Sequence, residues 1–437
     1  MALSRIALVG DDRQCADRLM VRRLDPGLID KLREAAERFG TPVYVTDVAA
    51  LRRAAAEVTA AFPDPWIRQY SVKANDVPAV IREIAACGFG ANVVSSGEWR
   101  SATEAGVANA QISLEGIGKT DADLRAVVRA HTDGTPLRWI AIESIEEAAV
   151  LAGLAREAGA GGAHRIDALL RLNPEVEPET TAELAVGAAS SKFGLLASEL
   201  ADVIAAAGGQ DGPLRWRGLQ VHAGSQLSAL DAWRDAMQRA LAIFSQWRKR
   251  MPEFTTLDAG GGFPVTDEGD GPRPRDFARA LDELMSPLDP EEAPTTLAIE
   301  PGRFLTARAG YLVSRVLHVR KAGSRADEPL VVIDAGMTEI IRPALYHTVH
   351  PIVALVPKPD DRSGLQATVV EGPICESTDH LGRHQLPALR RGDTVAILDS
   401  GAYASSMSSR YNGRARPPEV LLDADGRLRL GRPGVPV

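Results

Sequence analysis

The sequence has little cysteine, few aromatic residues and no long uninterrupted apolar run. Its 437 residues include 5% aromatic residues and only three cysteines, Cys15, Cys87 and Cys375. Three scattered cysteines are too few for a disulfide framework or a cysteine-rich zinc site, and they fit a reducing compartment. The chain also starts without a basic segment followed by a long apolar stretch. These absences predict a cytoplasmic protein with no membrane span and no metal site.

The sequence also lacks an excess of basic residues. Lysine and arginine total 50 against 58 aspartates and glutamates, which gives a net charge of -8. No window concentrates basic residues with aromatic ones, as a nucleic-acid groove requires. The composition, 45% hydrophobic and 25% charged, is that of a folded chain large enough for two domains. We therefore expect no nucleic-acid partner.

What the sequence does contain is a regular alternation of apolar, β-rich runs with alanine-rich helical patterns. Ile29–Phe39 has helical spacing, and a short strand follows at Pro42–Thr46. Eight further runs predict strands at residues 66–73, 89–95, 111–116, 137–143, 167–173, 215–222, 254–259 and 295–300. Helical patterns between them include Val77–Cys87, Ser144–Ala158 and Leu230–Lys249. This alternation predicts a parallel sheet and favours a (β/α)8 TIM barrel, with a doubly wound open sheet as the alternative.

From Tyr311 onward the helical patterns give way to short strand-like runs. These runs are Tyr311–Arg320, Leu330–Ala335, Ile352–Val356, Leu365–Val370 and Thr394–Leu398. Glycine, proline and charged residues separate them, which is typical of a mostly β domain. We predict a barrel of residues 43–307 and a C-terminal β domain of residues 308–437. The N-terminal segment, residues 1–42, is expected to pack with the β domain.

Polar or glycine-rich residues follow several predicted barrel strands. The first strand ends in Lys73, the second in Asn92–Ser96, the sixth in His222–Ser225, the seventh in Asp258–Gly262 and the eighth in Glu300–Arg303. The C-terminal ends of the strands form the active-site face of such a barrel. We therefore expect these residues to converge on one rim.

Each of these residues also has an ordinary structural explanation. A strand-end lysine such as Lys73 usually reaches solvent, a histidine usually packs in a core, and Glu300 could pair with Arg303. The glycine run Gly260–Gly262 alone is about as often a plain turn. Together, however, these residues supply what pyridoxal phosphate requires. They offer an amine to form an imine, bare amides and the Ser225 hydroxyl to bind a phosphate, an imidazole to stack on a ring and a carboxylate to face a ring nitrogen.

Longer motifs resemble those of the fold-type III pyridoxal-phosphate decarboxylases, the group that acts on ornithine, lysine, arginine and diaminopimelate. The motifs are Tyr70–Asn75, His222–Gln226, Asp258–Pro264, Glu300–Leu305, Asp334–Tyr346, Gly372–Asp379 and Gly401–Asn412. They span nearly the whole chain, and they are most similar to those of diaminopimelate decarboxylases. The resemblance implies an alanine-racemase-like barrel with a β domain, pyridoxal 5'-phosphate as cofactor, an amino-acid substrate, and a head-to-tail homodimer with shared active sites.

The resemblance also assigns roles by position. The implied cofactor-binding residues are Lys73, His222, Ser225, Gly261, Gly262, Glu300, Gly302, Arg303 and Tyr403. The implied substrate-binding residues are Arg303, Arg342, Tyr346, Glu376 and Tyr403. Lys73 resembles the lysine that carries the cofactor, and His222 the histidine stacked on it. Glu300 resembles the partner of the pyridine nitrogen, which argues against the related racemases, because they use arginine there.

Cys375 and Glu376 resemble a pair that the other subunit delivers across the interface. The thiol of Cys375 would donate a proton in catalysis, alongside Lys73 and His222 as catalytic residues. Glu376 would contact the distal end of the substrate. From the residue alone, a small buried hydrophobe is the better explanation of Cys375; its place within the motif reverses this preference in favour of the catalytic role.

Two positions depart from the family pattern. Asn92 stands where the family usually has aspartate, and Thr180–Gly187 lacks the usual histidine, aromatic and Thr-Gly pattern. We expect α-decarboxylation through a lysine aldimine and a quinonoid intermediate, with conversion of meso-diaminopimelate to L-lysine as the leading reaction. One alternative is the same chemistry on another amino acid or amino-acid conjugate of secondary metabolism. The other is a catalytically silent regulatory homologue that binds pyridoxal phosphate.

Overall fold

The computed structural model describes most of the chain. The described residues are 24–176, 191–227, 229–266, 270–323, 327–356 and 364–436. The departing segment Thr180–Gly187 lies outside them. Among the helices that they form, none combines the length and apolar character needed to cross a bilayer.

The chain forms a helix and a strand before the barrel begins. Helix α1 (Pro26–Phe39) starts after Asp25, whose carboxylate accepts hydrogen bonds from two amides of the first turn at 2.9 and 3.3 Å. It ends at Gly40, whose φ of 80° suits a residue without a β-carbon. Strand β1 (Val43–Asp47) and helix α2 (Val48–Ala61) follow.

Eight parallel strands close into a barrel, which confirms the predicted fold. The strands are β2 (Ile67–Ser71), β3 (Gly90–Val93), β4 (Ile112–Leu114), β5 (Trp139–Ile142), β6 (Ile166–Leu172), β7 (Leu214–Val221), β8 (Thr256–Asp258) and β9 (Thr296–Ile299). The helices between them are α3 (Pro78–Ala85), α4 (Ser96–Glu104), α5 (Asp121–Thr132), α6 (Ile145–Glu157), α7 (Leu200–Ala206), α8 (Asp231–Arg248) and α9 (Pro274–Met285). Strand β9 pairs with β2, so the ring closes and the open-sheet alternative is wrong.

The barrel wall is buried on its helical side, and polar side chains gather at its strand ends. Leu151 and Ala152 of α6 are fully buried, as an apolar helix face packed on a sheet must be. Asn92, Gln220 and Glu300 are at most 5% exposed. Buried polar groups are costly unless they are paired, so their concentration here marks the functional end of the barrel.

The chain after the barrel builds a second, mostly β unit. It comprises α10 (Arg303–Thr306), β10 (Gly310–Arg320), β11 (Leu330–Ile333), α11 (Arg342–Tyr346), β12 (Ile352–Ala354), β13 (Gln366–Glu371), β14 (His380–Leu386), β15 (Thr394–Ile397), β16 (Glu419–Leu422) and β17 (Leu428–Arg432). Its sheet runs in the order β14-β13-β11-β10-β1-β16-β17, with β15 on β10 and β12 on β15. Strand β1 pairs antiparallel with β10 and parallel with β16. A strand from before the barrel therefore completes the C-terminal sheet.

Helix α1 packs on this same sheet. Its buried residues Leu32 and Ala35 belong to one hydrophobic cluster with Val313 of β10 and Val420 of β16. The apolar face of α1 is thus covered by the β unit, since an amphipathic helix must bury that face against a neighbour. The proposed division at residues 42 and 307 stays a prediction.

Candidate active site

A cavity of about 420 Å³ opens at the C-terminal ends of the barrel strands. It brings together ten of the predicted site residues, namely Lys73, His222, Ser225, Gly262, Glu300, Gly302, Arg303, Arg342, Tyr346 and Tyr403. Residues from the barrel rim and from the C-terminal unit share its walls. An enclosed space with a few convergent polar groups is the usual form of a small-molecule site.

Lys73 lies in a single 3-10 turn, Val72–Ala74, directly after β2. The C-terminal unit holds this turn, because the Ser406 hydroxyl donates to the Lys73 carbonyl at 3.0 Å and the Tyr403 amide donates to the Ala74 carbonyl at 2.8 Å. The backbone under the lysine is therefore fixed from outside the barrel. A reactive amine needs such fixed support, since small displacements of a reacting group slow a reaction strongly.

The glycine run after β8 brings bare backbone to the cavity. Gly260 and Gly262 adopt φ values of 68° and 96°, in the region that favours glycine. A β-carbon on Gly261 would lie 2.4 Å from the Glu300 carbonyl oxygen, and one on Gly262 would lie 2.5 Å from the Gly224 carbonyl oxygen. Only glycine fits at these positions, so a ligand can approach the main chain without meeting side chains.

His222 follows β7 and carries a neutral ring. Burial lowers its pKa well below the usual range, and the positive charges of Lys73 and Arg171 lower it further. The Gly261 amide lies 3.3 Å from Nδ1 and donates to it, which requires that nitrogen to be an acceptor. The flat uncharged imidazole is suited to stacking against an aromatic ring.

Glu300 follows β9 and lies at the floor of the cavity, 5% exposed. Gln220 Nε2 lies 3.2 and 3.4 Å from its two carboxylate oxygens. Burial raises its pKa to about 8, and the charge of Asp258 adds to that rise. Within the described ranges it forms no ion pair with Arg303, so the structural explanation considered for this glutamate is wrong. A cationic ligand atom placed here would supply the missing countercharge.

Two guanidinium groups form the opposite, cationic part of the cavity. Arg303 and Arg342 are 8% and 6% exposed, and their Cζ atoms lie 4.6 and 6.0 Å from the centre of the Tyr403 ring. Burial lowers the pKa of Arg342 to about 10, and the nearby charge of Arg303 lowers it further. No described carboxylate lies within ion-pair distance of either guanidinium. Buried unpaired cations of this kind are suited to binding an anion.

Comparison with known proteins identifies the family. Residues 48–307 match the family model for the pyridoxal-binding domain of pyridoxal-dependent decarboxylases. The chain belongs to the pyridoxal-dependent decarboxylases. It is 32% identical to diaminopimelate decarboxylase of Aquifex aeolicus, over 92% of this chain and 91% of that protein. It is 35% identical to the enzyme of Archaeoglobus fulgidus, over 90% and 91% of the two chains.

A solved structure of the same family agrees with the fold. The crystal structure of diaminopimelate decarboxylase from Helicobacter pylori, complexed with L-lysine, superposes with a TM-score of 0.83. The two proteins are 28% identical, and the superposition covers 92% of this chain and 96% of the other. The likeness therefore extends over both the barrel and the C-terminal sheet of this decarboxylase.

Three predicted residues of the decarboxylase do not line the cavity. Gly261 contacts His222 through its amide, whereas Cys375 and Glu376 are exposed in the loop between β13 and β14. There Tyr411 Oη donates to the Glu376 carboxylate at 2.6 Å, and Asn412 Nδ2 lies 3.5 Å from Cys375 Sγ. These contacts gather two motifs of the C-terminal unit on one exposed surface, and none of these four residues lines the cavity.

Sequence reasoning missed several residues that the barrel brings to the site. Arg171 lines the cavity from the end of β6, and its guanidinium pairs with the Glu143 carboxylate at 2.7 Å. Glu115, directly after β4, lies close to Glu300 although it was not predicted as a site residue. The available signal was its position, because Glu115 follows an apolar run as Glu300 does.

Proposed function

We propose that this decarboxylase binds pyridoxal 5'-phosphate and removes one carboxylate of meso-diaminopimelate to give L-lysine. The observation that carries the proposal is a single cavity that contains Lys73, Glu300 and two buried guanidiniums without a described carboxylate partner. The named relatives support the substrate, since both are diaminopimelate decarboxylases. L-lysine, the ligand of the Helicobacter pylori structure, is the product of this reaction.

The lining of the cavity fits the proposed cofactor. The glycine run that tolerates no β-carbon would receive the phosphate, with Gly262 and the Ser225 hydroxyl as donors. The Lys73 amine would carry the aldehyde carbon, and the buried Glu300 carboxyl would meet the ring nitrogen. Each of these donors matches one chemical feature of the cofactor, and all of them open on the same space.

The residues have distinct tasks in the reaction. When bound, pyridoxal phosphate provides a conjugated system that accepts the electron pair left by the departing carboxylate. Glu300 holds a proton at the ring nitrogen, because opposite charges stabilise each other in a buried site. His222 is neutral and would pack against the ring without adding a competing positive charge. The Lys73 amine would hold the cofactor and, once the substrate amine takes its place, would be available to move protons.

The arginine pair is suited to the second carboxylate of the substrate. A guanidinium binds a carboxylate through two parallel hydrogen bonds, which fixes both position and orientation. Arg342 and Arg303 flank the Tyr403 ring, so a carboxylate bound between them would be held at a fixed distance from Lys73. This contact would select an amino acid with an acidic distal end over one that ends in an amine alone.

The proposed reaction is tested with a panel of amino acids. Purified protein with pyridoxal phosphate is incubated with meso-diaminopimelate, lysine, ornithine and arginine, and carbon dioxide and the product amine are measured. We expect release of L-lysine from meso-diaminopimelate only. Arg342→Ala should raise KM about 10- to 100-fold, because a bidentate contact is lost. Turnover of another amino acid without lysine formation would favour the alternative substrate, and no turnover would favour a silent homologue.

We further propose a homodimer in which Cys375 and Glu376 complete the site of the other subunit. Both residues are exposed on the surface of their own chain, and their side chains contact Asn412 and Tyr411 instead of the cavity. The closed symmetry of a dimer would present the same surface to both cavities. A thiol delivered in this way would donate a proton to the substrate carbon, and the carboxylate would meet a distal ammonium.

Mixing two inactive variants tests this shared site. Mixed dimers of Lys73→Ala and Cys375→Ala subunits, purified through a different tag on each subunit, should show about half of wild-type activity, since one of their two sites would be complete. Activity of the tagged, co-purified species is the measurement. Pairing Lys73→Ala with a Lys73→Ala/Cys375→Ala double variant is the control, which should stay inactive. Absence of recovery in co-purified mixed dimers would place Cys375 outside the neighbouring site.

A further inference from the structure

Three buried carboxyl groups meet at the floor of the cavity. Glu115, Asp258 and Glu300 are 3%, 0% and 5% exposed, and their carboxyl oxygens lie within 4.8 Å of one another. They come from three barrel strands, β4, β8 and β9, which are not all neighbours in the sheet. The closure of the barrel, rather than a local sequence pattern, therefore brings the three carboxyl groups together.

The surrounding groups do not supply three countercharges. Among the described residues, the positive groups that face the cluster are Lys73, after β2, and Arg171, on β6. The Arg171 guanidinium is already paired with Glu143 at 2.7 Å. The imidazole of His222, after β7, is neutral. Three adjacent carboxylates with so little positive charge cannot all be ionised in a buried site, so the cluster must retain protons.

Hydrogen bonds distinguish Glu300 from its two neighbours. Gln220, fully buried on β7, has its amide nitrogen 3.2 and 3.4 Å from the Glu300 oxygens. Asp258 accepts a hydrogen bond from the Gly260 amide at 3.0 Å, but its other carboxyl oxygen and one oxygen of Glu115 have no hydrogen-bond partner in the described part of the chain. Amide donors stabilise a carboxylate, whereas an unpaired buried oxygen favours the neutral acid. Glu300 also lines the cavity, and neither of the other two does.

The electrostatics of Glu115 agree with this asymmetry. Burial raises its pKa well above the usual range, and the charge of Glu300 and a hydrogen bond to Glu300 raise it further. That same hydrogen bond lowers the pKa of Glu300. Asn92 on the adjacent strand β3 adds no fourth charge to the cluster. Its hydrogen bond and the charge of Arg171 lower the pKa of Glu115, but by less than burial and Glu300 raise it. When a cation in the cavity offsets the charge of Glu300, the proton of this pair thus belongs on Glu115.

We propose that Glu115 is a positioning residue that remains protonated and donates a hydrogen bond to Glu300, and so keeps one negative charge on the carboxylate that faces the ligand. This inference rests on the proposed function, in which Glu300 meets the ring nitrogen. Glu115 itself does not touch the cavity. Its role is to orient Glu300 and to prevent a second charge from competing for the same cation.

Proton release from the cofactor-free protein is the first test. At pH 6 an unfolded glutamate is ionised while the native cluster holds protons, so unfolding in guanidinium releases them. We expect Glu115→Gln to release about one proton fewer than wild type. Unchanged release, whether because Glu115 is ionised or because a cation occupies the cluster, would overturn the proposal. This measurement needs no cofactor, so its failure is distinct from a failure of the proposed function.

The spectrum of the cofactor-loaded protein is the second test. Glu115→Gln keeps a neutral hydrogen-bond donor, and we expect its pH-dependent absorbance and its kcat to stay within about threefold of wild type. Glu115→Ala lacks the donor, so its absorbance midpoint should shift by about one pH unit and kcat should fall about tenfold. A Glu115→Ala profile that overlays the wild-type profile would show that Glu115 does not position Glu300.

A buried glutamate elsewhere in the chain provides the control. Glu339, 1% exposed in the C-terminal unit, also has a pKa raised by burial. Glu339→Gln should leave the absorbance profile of the cofactor unchanged. If Glu115→Gln and Glu339→Gln changed that profile equally, the effect would be a general one of lost buried acids, and the specific role of Glu115 would be refuted.

Discussion

Replacing Lys73 with alanine is expected to lower kcat by roughly four orders of magnitude or more, the scale on which enzymes lose activity without their covalent group. The amine lies on a turn that the C-terminal unit fixes, so its loss leaves the surrounding backbone in place. The variant should still bind pyridoxal phosphate through the glycine run and Glu300. It should lack the covalent bond to the protein that borohydride reduces.

Absorbance and mass spectrometry measure this result directly. After borohydride treatment, wild-type protein should gain the mass of one reduced cofactor, and the modified peptide should contain Lys73. Lys249→Ala is a matched control, since Lys249 is an exposed lysine whose Nζ lies 2.7 Å from the Glu292 carboxylate. That variant should retain full activity and the mass gain. A fully active Lys73→Ala protein would refute the assigned role of the lysine.

The barrel could be predicted because its periodicity is local. The first predicted strand, residues 66–73, contains β2 (Ile67–Ser71), and the seventh, residues 254–259, contains β8 (Thr256–Asp258). The predicted helical pattern Ser144–Ala158 includes both capping residues of α6, Ile145–Glu157. Apolar spacing marks such elements wherever they pack, so neighbouring residues alone are sufficient to find them.

The topology of the C-terminal sheet could not be predicted in the same way. Strand β1 pairs with β16 through Tyr44 and Glu419, hundreds of residues apart in the chain. Strand β14, His380–Leu386, was missed because histidine, glycine and arginine interrupt its apolar residues, and pairing with β13 stabilises it. Long-range pairing decides these elements, and no short window of sequence contains that information.

The site residues also divide into those that local sequence predicts and those that depend on long-range contacts. Lys73, His222 and Glu300 could be found because each ends a predicted strand, and parallel strands in a barrel end on one face. The pairing of Arg171 with Glu143 could not, because it depends on how neighbouring strands β5 and β6 align. The same holds for the contact of Glu115 with Glu300, which requires the closed ring. Residue type and position along the chain predict which residues form the site. Their charge states can be inferred only from the distances between their side chains in the folded structure.

Replacing Glu300 with glutamine should lower kcat about 10²- to 10³-fold, the usual cost of removing one preorganised electrostatic group. Glutamine keeps the shape of the side chain at the cavity floor but has no negative charge. The ring nitrogen of the cofactor would then lose its proton at neutral pH, and electron withdrawal from the substrate carbon would weaken. Cofactor affinity should fall less than kcat, because the glycine run and Lys73 still hold the cofactor.

The pH dependence of stability gives Glu300 an independent signature. In the cofactor-free protein its pKa is raised to about 8, mainly by burial and then by the charge of Asp258. The native state therefore binds more protons than the unfolded state between about pH 4.5 and pH 8, and stability falls as pH rises through this window. A bound cationic ring lowers the pKa of Glu300 and should therefore reduce the loss of stability as pH rises.

Thermal unfolding across that pH window, with and without pyridoxal phosphate, measures the effect. The cofactor should raise the unfolding temperature of wild-type protein more at pH 8 than at pH 5, because only at the higher pH does the cationic ring offset an unfavourable charge on Glu300. The unfolding temperature of Glu300→Gln should rise equally with cofactor at pH 5 and at pH 8, and Glu339→Gln should behave as wild type. If Glu300→Gln kept wild-type kcat and the wild-type difference in cofactor stabilisation between pH 5 and pH 8, Glu300 would not contact the ring nitrogen. The carboxyl cluster would then have to be explained as part of the barrel core alone.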